Sequence, residues 1–180
     1  MKDNVTLKNQ EQRKFKSFQE LTIKDAFMFA AVMSDPERCQ QLLKLVLELD
    51  ILQVTVITEK SMSCHPEYHG VRLDVLAEEN GQRRRFNVEM QVRTDIQLPR
   101  RSRYYHSQLD MDALLSGKSY NELPETYVIF ICDFPLSDPP LYRYTYHNVC
   151  SETDEILDDG RITVFLSTKG TVTGRRSLCC

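Results

Sequence analysis

No apolar run in this chain approaches the roughly 20 residues that a membrane-spanning helix needs. The first residues, MKDNVTLKNQEQRKFKSF, are polar and lack the apolar segment of a secretory signal, so a solvated arm over 1–20 and a cytoplasmic protein are expected. None of the six cysteines forms a CxxC pair, which argues against a zinc site or a disulfide framework and for incidental thiols in a reducing compartment. Cys64, His65 and His69 are too sparse a ligand set, on a loop interrupted by Pro66, to define a metal centre. The net charge is -3, so the chain is not globally basic and any nucleic-acid contact must come from a local patch. Internal repeats, low-complexity segments, flexible linkers and helix-turn-helix or zinc-finger signatures are all missing. Sequence-specific DNA reading therefore has no support.

What is present is one ordinary globular domain. The 180 residues are 41% hydrophobic and 27% charged, enough to bury a substantial core. Ile23, Ala26, Phe27, Ala30, Ala31 and Val32 keep helical spacing from about Thr22. Asp35-Pro36 opens a second helix whose apolar stripe is Leu42, Leu43, Val46 and Leu47. A β-branched stretch over Val54 to Thr58 predicts a short strand, followed by a loop or edge strand to His69. VRLDVLAEE and RRRFNVEMQV flank Asn80-Gly81, a pattern that predicts a hairpin with a two-residue type I′ turn. A helix follows Pro99 and is expected to end at Gly117. TYVIFICDF has the continuous apolar character of a strand buried on both faces. LYRYTYHNV and RITVFLST predict two more strands. The order α-α-β-β-β-α-β-β-β predicts an α/β domain, a mixed sheet flanked by helices, over 21–170.

Strand alternation assigns the hairpin's side chains to faces. Val71, Leu73, Val75 and Ala77 should share one face, with Arg72, Asp74 and Leu76 on the other. On the second strand Asn87, Glu89 and Gln91 form a polar row opposite Phe86, Val88, Met90 and Val92. A two-residue turn at Asn80-Gly81 pairs Asp74 with Asn87 and leaves Glu89 its diagonal neighbour, roughly 7–8 Å away. Two carboxylates so placed can converge on one cation with metal–oxygen bonds of about 2.1 Å. The same row is equally at home on the solvated side of an antiparallel sheet.

Gly70-Val-Arg-Leu-Asp74, a short hairpin, then Val88-Glu-Met-Gln91 resembles the core of the PD-(D/E)XK nuclease superfamily. More narrowly it is similar to the bacterial recombination-promoting nuclease/transposase (Rpn) family. Lys24-Asp-Ala-Phe27, Arg103-Tyr-Tyr105, Gly117-Lys-Ser-Tyr-Asn-Glu-Leu123 and Thr168-Lys-Gly170 match further motifs of that family in order. The resemblance covers about Leu21 to Gly170 and implies a restriction-endonuclease-like fold and Mg2+- or Mn2+-dependent cleavage of DNA, linked to recombination or transposition. It assigns Asp74 and Glu89 to the metal and Gln91 to catalysis. It places Asp25 beside the site, an acid whose other reading is a helix N-terminal residue favoured by the dipole. Gln91 stands where the superfamily usually has Lys, and it can orient a water but carries no charge. Arg101 and Arg103 are the phosphate-contact candidates, ahead of Arg83-Arg84-Arg85. DNA is the implied partner, no membrane is implied, and a homo-oligomer is compatible. The ending GTVTGRRSLCC has no helical period, and an irregular or truncated tail over 171–180 is expected. An inactive nuclease-like module that binds DNA or protein is the competing reading, and an enzyme acting on RNA or a small molecule is a third.

Overall fold

A computed structural model describes residues 17–63, 67 and 69–172. The expected arm up to residue 16, the tail from residue 173, and Cys64 and His65 lie outside the described residues. Helices α1 (Ala26–Met33) and α2 (Pro36–Leu47) precede strands β1 (Val54–Met62), β2 (Val71–Glu79) and β3 (Arg84–Gln91). Helix α3 (Leu98–Ala113) leads to β4 (Glu125–Cys132), β5 (Arg143–Tyr146) and β6 (Arg161–Ser167). The six strands form one sheet in the order β1-β2-β3-β4-β6-β5. β3, β4 and β6 run parallel, and the other pairings are antiparallel. This is the mixed α/β sheet of a restriction-endonuclease-like domain. No described helix is long and apolar enough to cross a membrane.

Two cores lie on the two faces of the sheet. Phe29 of α1 and Cys39, Leu43 and Val46 of α2 pack with Val75, Ala77, Phe86, Val88 and Ile129. Tyr105 and Leu109 of α3 pack with Leu73, Leu76, Val128, Phe130 and Phe165. Each fully buried large side chain here contributes roughly 1.5–3 kcal/mol. The described cysteines are free thiols, with Cys39 and Cys132 buried and Cys150 exposed.

Local chemistry sets the boundaries. Asp35 caps α2, its carboxylate accepting from Glu37 N at 3.0 Å and Arg38 N at 3.4 Å, with Pro36 at a first-turn position. α1 begins at Ala26 rather than Thr22, and Phe29, not Phe27, is its core anchor. Its sequence AFMFAAVM is apolar all round, so periodicity could not select the buried face. β1 runs on to Met62, four residues past the expected strand, because it pairs with β2 on both sides of a break at Asp74. α3 takes in Leu98 and Pro99 and ends at Ala113, while Gly117 adopts φ 83° in the turn beyond. β5 is a four-residue edge strand, shorter than the run from Leu141 to Val149.

The hairpin corrects the expected register by two residues. Glu78 pairs with Arg85 and Val75 with Val88, so residues 80–83 make a longer turn in which Gly81 alone takes a positive φ, 77°. Asn80 is engaged elsewhere. Its amide donates to Gln53 O at 2.8 Å and its side chain accepts from Thr55 Oγ1 at 2.9 Å. Behind it Glu79, nearly fully buried, takes Leu52 N and both ends of the Arg84 guanidinium. Arg85 pairs with Glu78 and Asp112, and Arg83 donates to Asn121 O. Each hairpin-tip arginine therefore holds a partner within the domain.

His106 of α3 is buried between Thr126 Oγ1 (2.8 Å) and Thr163 Oγ1 (3.0 Å), tying the helix to β4 and β6. Burial first, and then the Arg161 charge, hold its pKa down to about 3, against 6.5 for a free histidine. The unfolded chain therefore binds a proton that the folded one refuses. The contribution of His106 is complete above 6.5 and is lost as pH falls towards 3. Urea unfolding should show stability dropping over that window by on the order of 1 kcal/mol per pH unit from this group, and a flatter profile in His106→Asn.

Candidate active site

The site forms where the β2–β3 ladder opens. The last rung toward the open end joins Val75 to Val88, and continuing that register sets Asp74 directly opposite Glu89 rather than diagonal to it. In place of another backbone rung the two carboxylates reach across. Asp74 N donates to Glu89 Oε1 at 3.1 Å, and Met90 N donates to Asp74 Oδ2 at 3.1 Å. Each carboxylate satisfies an amide on the opposite strand, which fixes both side chains relative to the sheet.

β2 is irregular on its other side as well. Its ladder with β1 has no rung between Glu59 and Asp74, and Glu59 has φ 55°. Strand alternation breaks at this point. Val71 and Leu73 join the α3-side core, while Val75 and Ala77 join the opposite one. The four do not share one face, as unbroken alternation had them. The kink sits at the residue that carries the candidate metal ligand, a common use of strand irregularities.

The row Asn87, Glu89 and Gln91 is not the solvated side of a sheet. α3 covers it, and Asn87 is fully buried while Glu89 is only 4% exposed. Burial, followed by repulsion from Asp74, pushes the Glu89 carboxyl up to about 8, against the pull of the Asp74 amide and of Arg101. Asp74 is also raised, chiefly by burial. Two acids forced together in a low-dielectric setting gain from sharing a cation.

Arg101 enters from the first turns of α3. Its guanidinium donates to Gln91 Oε1 (3.1 Å), Asp95 Oδ2 (3.2 Å) and Tyr105 OH (3.0 Å), and lies 3.9 Å from Glu89 Oε2. It stands 5.5 Å from the ring centres of both Tyr105 and Phe130. Gln91 donates in turn to Arg93 O at 2.7 Å, so both ends of its amide are engaged by protein. A cavity of about 390 Å³ opens beside this group, lined by His69, Arg72, Gln97, Arg100, Arg101, Tyr104 and Tyr105 among others.

The expected residues thus separate into groups. Asp74, Glu89, Gln91 and Arg101 are brought together. Arg103 is exposed two residues further along α3, roughly 200° around the helix from Arg101. Asp25 is the N-cap of α1, where its carboxylate accepts from Thr22 N (2.8 Å) and Thr22 Oγ1 (3.2 Å). The contacts of Asp95 and Tyr105 with Arg101 were not anticipated. Asp95 had no sequence signal beyond its nearness to Arg101, whereas Tyr105 stood in the Arg103-Tyr-Tyr105 motif and carries the i, i+4 spacing from Arg101 that lets two helical side chains meet.

Divalent cations fit this donor set. Among the described residues no group of three or more His, Cys, Asp or Glu side chains converges. Mg2+ needs only one or two carboxylates and completes its shell with water and substrate phosphate. Asp74 and Glu89 are hard oxygen donors, each with one oxygen not used on the other's strand.

Fold and site together define a nuclease-type α/β domain. The model of the PD-(D/E)XK nuclease family transposases matches residues 27–169, and the chain belongs to that family. Searches of curated proteins and of solved structures gave no match.

In the metal-free protein the Glu89 proton is bound more tightly when folded, since its pKa rises from 4.5 to about 8. This group therefore favours the fold fully below 4.5, and that advantage is lost as pH rises through 8. Stability of the metal-free protein should fall over this range by on the order of 1 kcal/mol per pH unit, and Glu89→Gln should flatten the profile and raise the melting temperature at neutral pH.

Proposed function

We propose that this chain is a Mg2+- or Mn2+-dependent endodeoxyribonuclease linked to recombination or transposition, within the recombination-promoting nuclease branch of its family. The facing carboxylates of half-buried Asp74 and buried Glu89 carry the reading, because burial raises both pKa values, repulsion from Asp74 raises that of Glu89 further, and a bound cation offsets the cost of ionising the pair.

Asp74 and Glu89 would hold the ion. When bound, it supplies Lewis-acid polarisation of the phosphodiester and a lowered pKa for the attacking water. Arg101 places a fixed positive charge next to Glu89 and Gln91, where negative charge develops as the phosphodiester is attacked. Gln91 is uncharged, and it acts through Arg101 by anchoring the guanidinium at the end of β3. Arg103, exposed on the same helix, contacts a flanking phosphate. Asp25 orients the start of α1 beside the site.

Supercoiled plasmid with Mg2+ or Mn2+ tests this directly. Wild type should nick it, while Asp74→Ala and Glu89→Ala should lose at least 100-fold in rate, roughly the cost of losing an electrostatic catalytic group. Nicking that survives both substitutions would sink the assignment. Gln91, in place of the usual lysine, favours a second reading as an inactive DNA- or protein-binding module. Binding without any nicking by wild type would support it.

Arg101 gives a separate expectation. Arg101→Ala should lower the nicking rate about 10- to 100-fold while leaving Mn2+ affinity, read by electron paramagnetic resonance, within a few-fold of wild type. Arg101→Lys should recover part of the rate, since it keeps the charge but not the planar fork.

A further inference from the structure

Two sequence motifs from opposite ends of the domain meet at one carboxylate. Asp133 follows β4 directly. Its Oδ2 accepts from Lys24 Nζ at 2.6 Å, and its Oδ1 accepts from Thr168 Oγ1 at 2.7 Å, with Lys169 Nζ at 3.5 Å. Lys24 comes from the turn before α1, where Asp25 folds back onto Thr22. Lys169 comes from the turn after β6, where Gly170 lets the chain lie against Tyr142. A Cβ at Gly170 would sit 2.6 Å from the Tyr142 backbone.

The cluster is placed for substrate. Asp133 N donates to Gln91 O at 3.0 Å, so the backbone of the residue that gathers the lysines abuts the last residue of the polar row. They share the carboxyl-terminal rim of the parallel strands β3, β4 and β6, the end of such sheets where ligands bind. Asp133 is 14% exposed, while the lysine side chains are 47% and 53% exposed. Lys24 and Thr168, with Lys169 and its charge alongside, hold the Asp133 carboxyl down at about 2. Two ammonium groups against one carboxylate leave a net positive charge. Each ammonium has three N–H donors and spends at most one on Asp133. One lysine would meet the needs of Asp133. The second adds like-charge repulsion that an exposed ion pair, worth less than about 1 kcal/mol, does not require. An anionic ligand supplies the missing counter-charge.

We propose that Lys24 and Lys169, gathered by Asp133, form a seat for a backbone phosphate of DNA on the rim beside the candidate metal site. The proposal rests on the part of that reading that makes DNA the ligand, and its test does not need cleavage. Asp133 positions the lysines and also weakens the seat electrostatically, so removing its charge and removing theirs act in opposite directions on affinity.

Binding of a fluorescent duplex oligonucleotide would be measured by anisotropy without divalent ions, over a range of salt. Lys24→Ala and Lys169→Ala should each weaken binding several-fold and reduce the salt-dependence slope by about 1. Lys24→Arg with Lys169→Arg should bind close to wild type. D133N should bind as tightly as wild type or several-fold tighter, even where its melting temperature falls. Alanine variants with wild-type affinity and slope would overturn the proposal, as would loss of binding in the arginine variant or in D133N to the level of the alanine variants. Absence of DNA binding by wild type would overturn it too. Lysine-dependent binding by a protein that never nicks plasmid would leave the seat standing and remove the nuclease reading. Nicking with affinity indifferent to the lysines would do the reverse.

Discussion

Asp74 and Glu89 exchange hydrogen bonds with each other's strands at the point where the backbone ladder between β2 and β3 stops. An opened ladder leaves amides without partners, and burying them unpaired is costly. Here the two carboxylates supply the acceptors. The strands can therefore part at this end without losing order. Everything near the site follows from that substitution. The carboxylates face each other because each is committed to the other's strand. Their pKa values rise because burial disfavours the charged forms by more than these hydrogen bonds favour them.

α3 turns this arrangement into a chemical environment. Its hydrophobic side, Tyr105 and Leu109, closes the core over Phe130 and dries the polar row. Its first turns bring Arg101 against Glu89 and Gln91, with Asp95 and Tyr105 keeping the guanidinium in place. A positive charge arrives from a helix to sit at a strand position occupied by an uncharged glutamine. The strand and the helix thus divide between them what a single lysine at position 91 would combine.

Much of the fold was legible along the chain, because it depended on local signals. The order of nine elements, the caps at Asp35 and Pro36, and the buried character of β4 followed from periodicity, turn residues and continuous apolar runs. Asp74, Glu89 and Gln91 were legible as one cluster because a register slip of two residues preserves the face on which each side chain lies. The turn itself was misread. Asn80-Gly81 favours a two-residue loop in isolation, but Asn80 is claimed by Gln53 and Thr55 and Arg84 by Glu79. α1 was misread for the opposite reason, an apolar surface on every side that leaves the buried face to tertiary packing.

By itself the sequence determined which elements form, which residue types cluster on the hairpin, and which family's ordered motifs the chain carries. Those are properties of neighbours along the chain, where spacing and conformational preference act directly. Only the tertiary structure decided that the polar row is buried, that Asp74 lies opposite Glu89, and that Arg101 serves Gln91. It alone brought Lys24 and Lys169 to Asp133. These are contacts between elements distant in sequence. Their energies come from burial and from charges at a few ångströms, and neither exists until the sheet and its covering helices have closed.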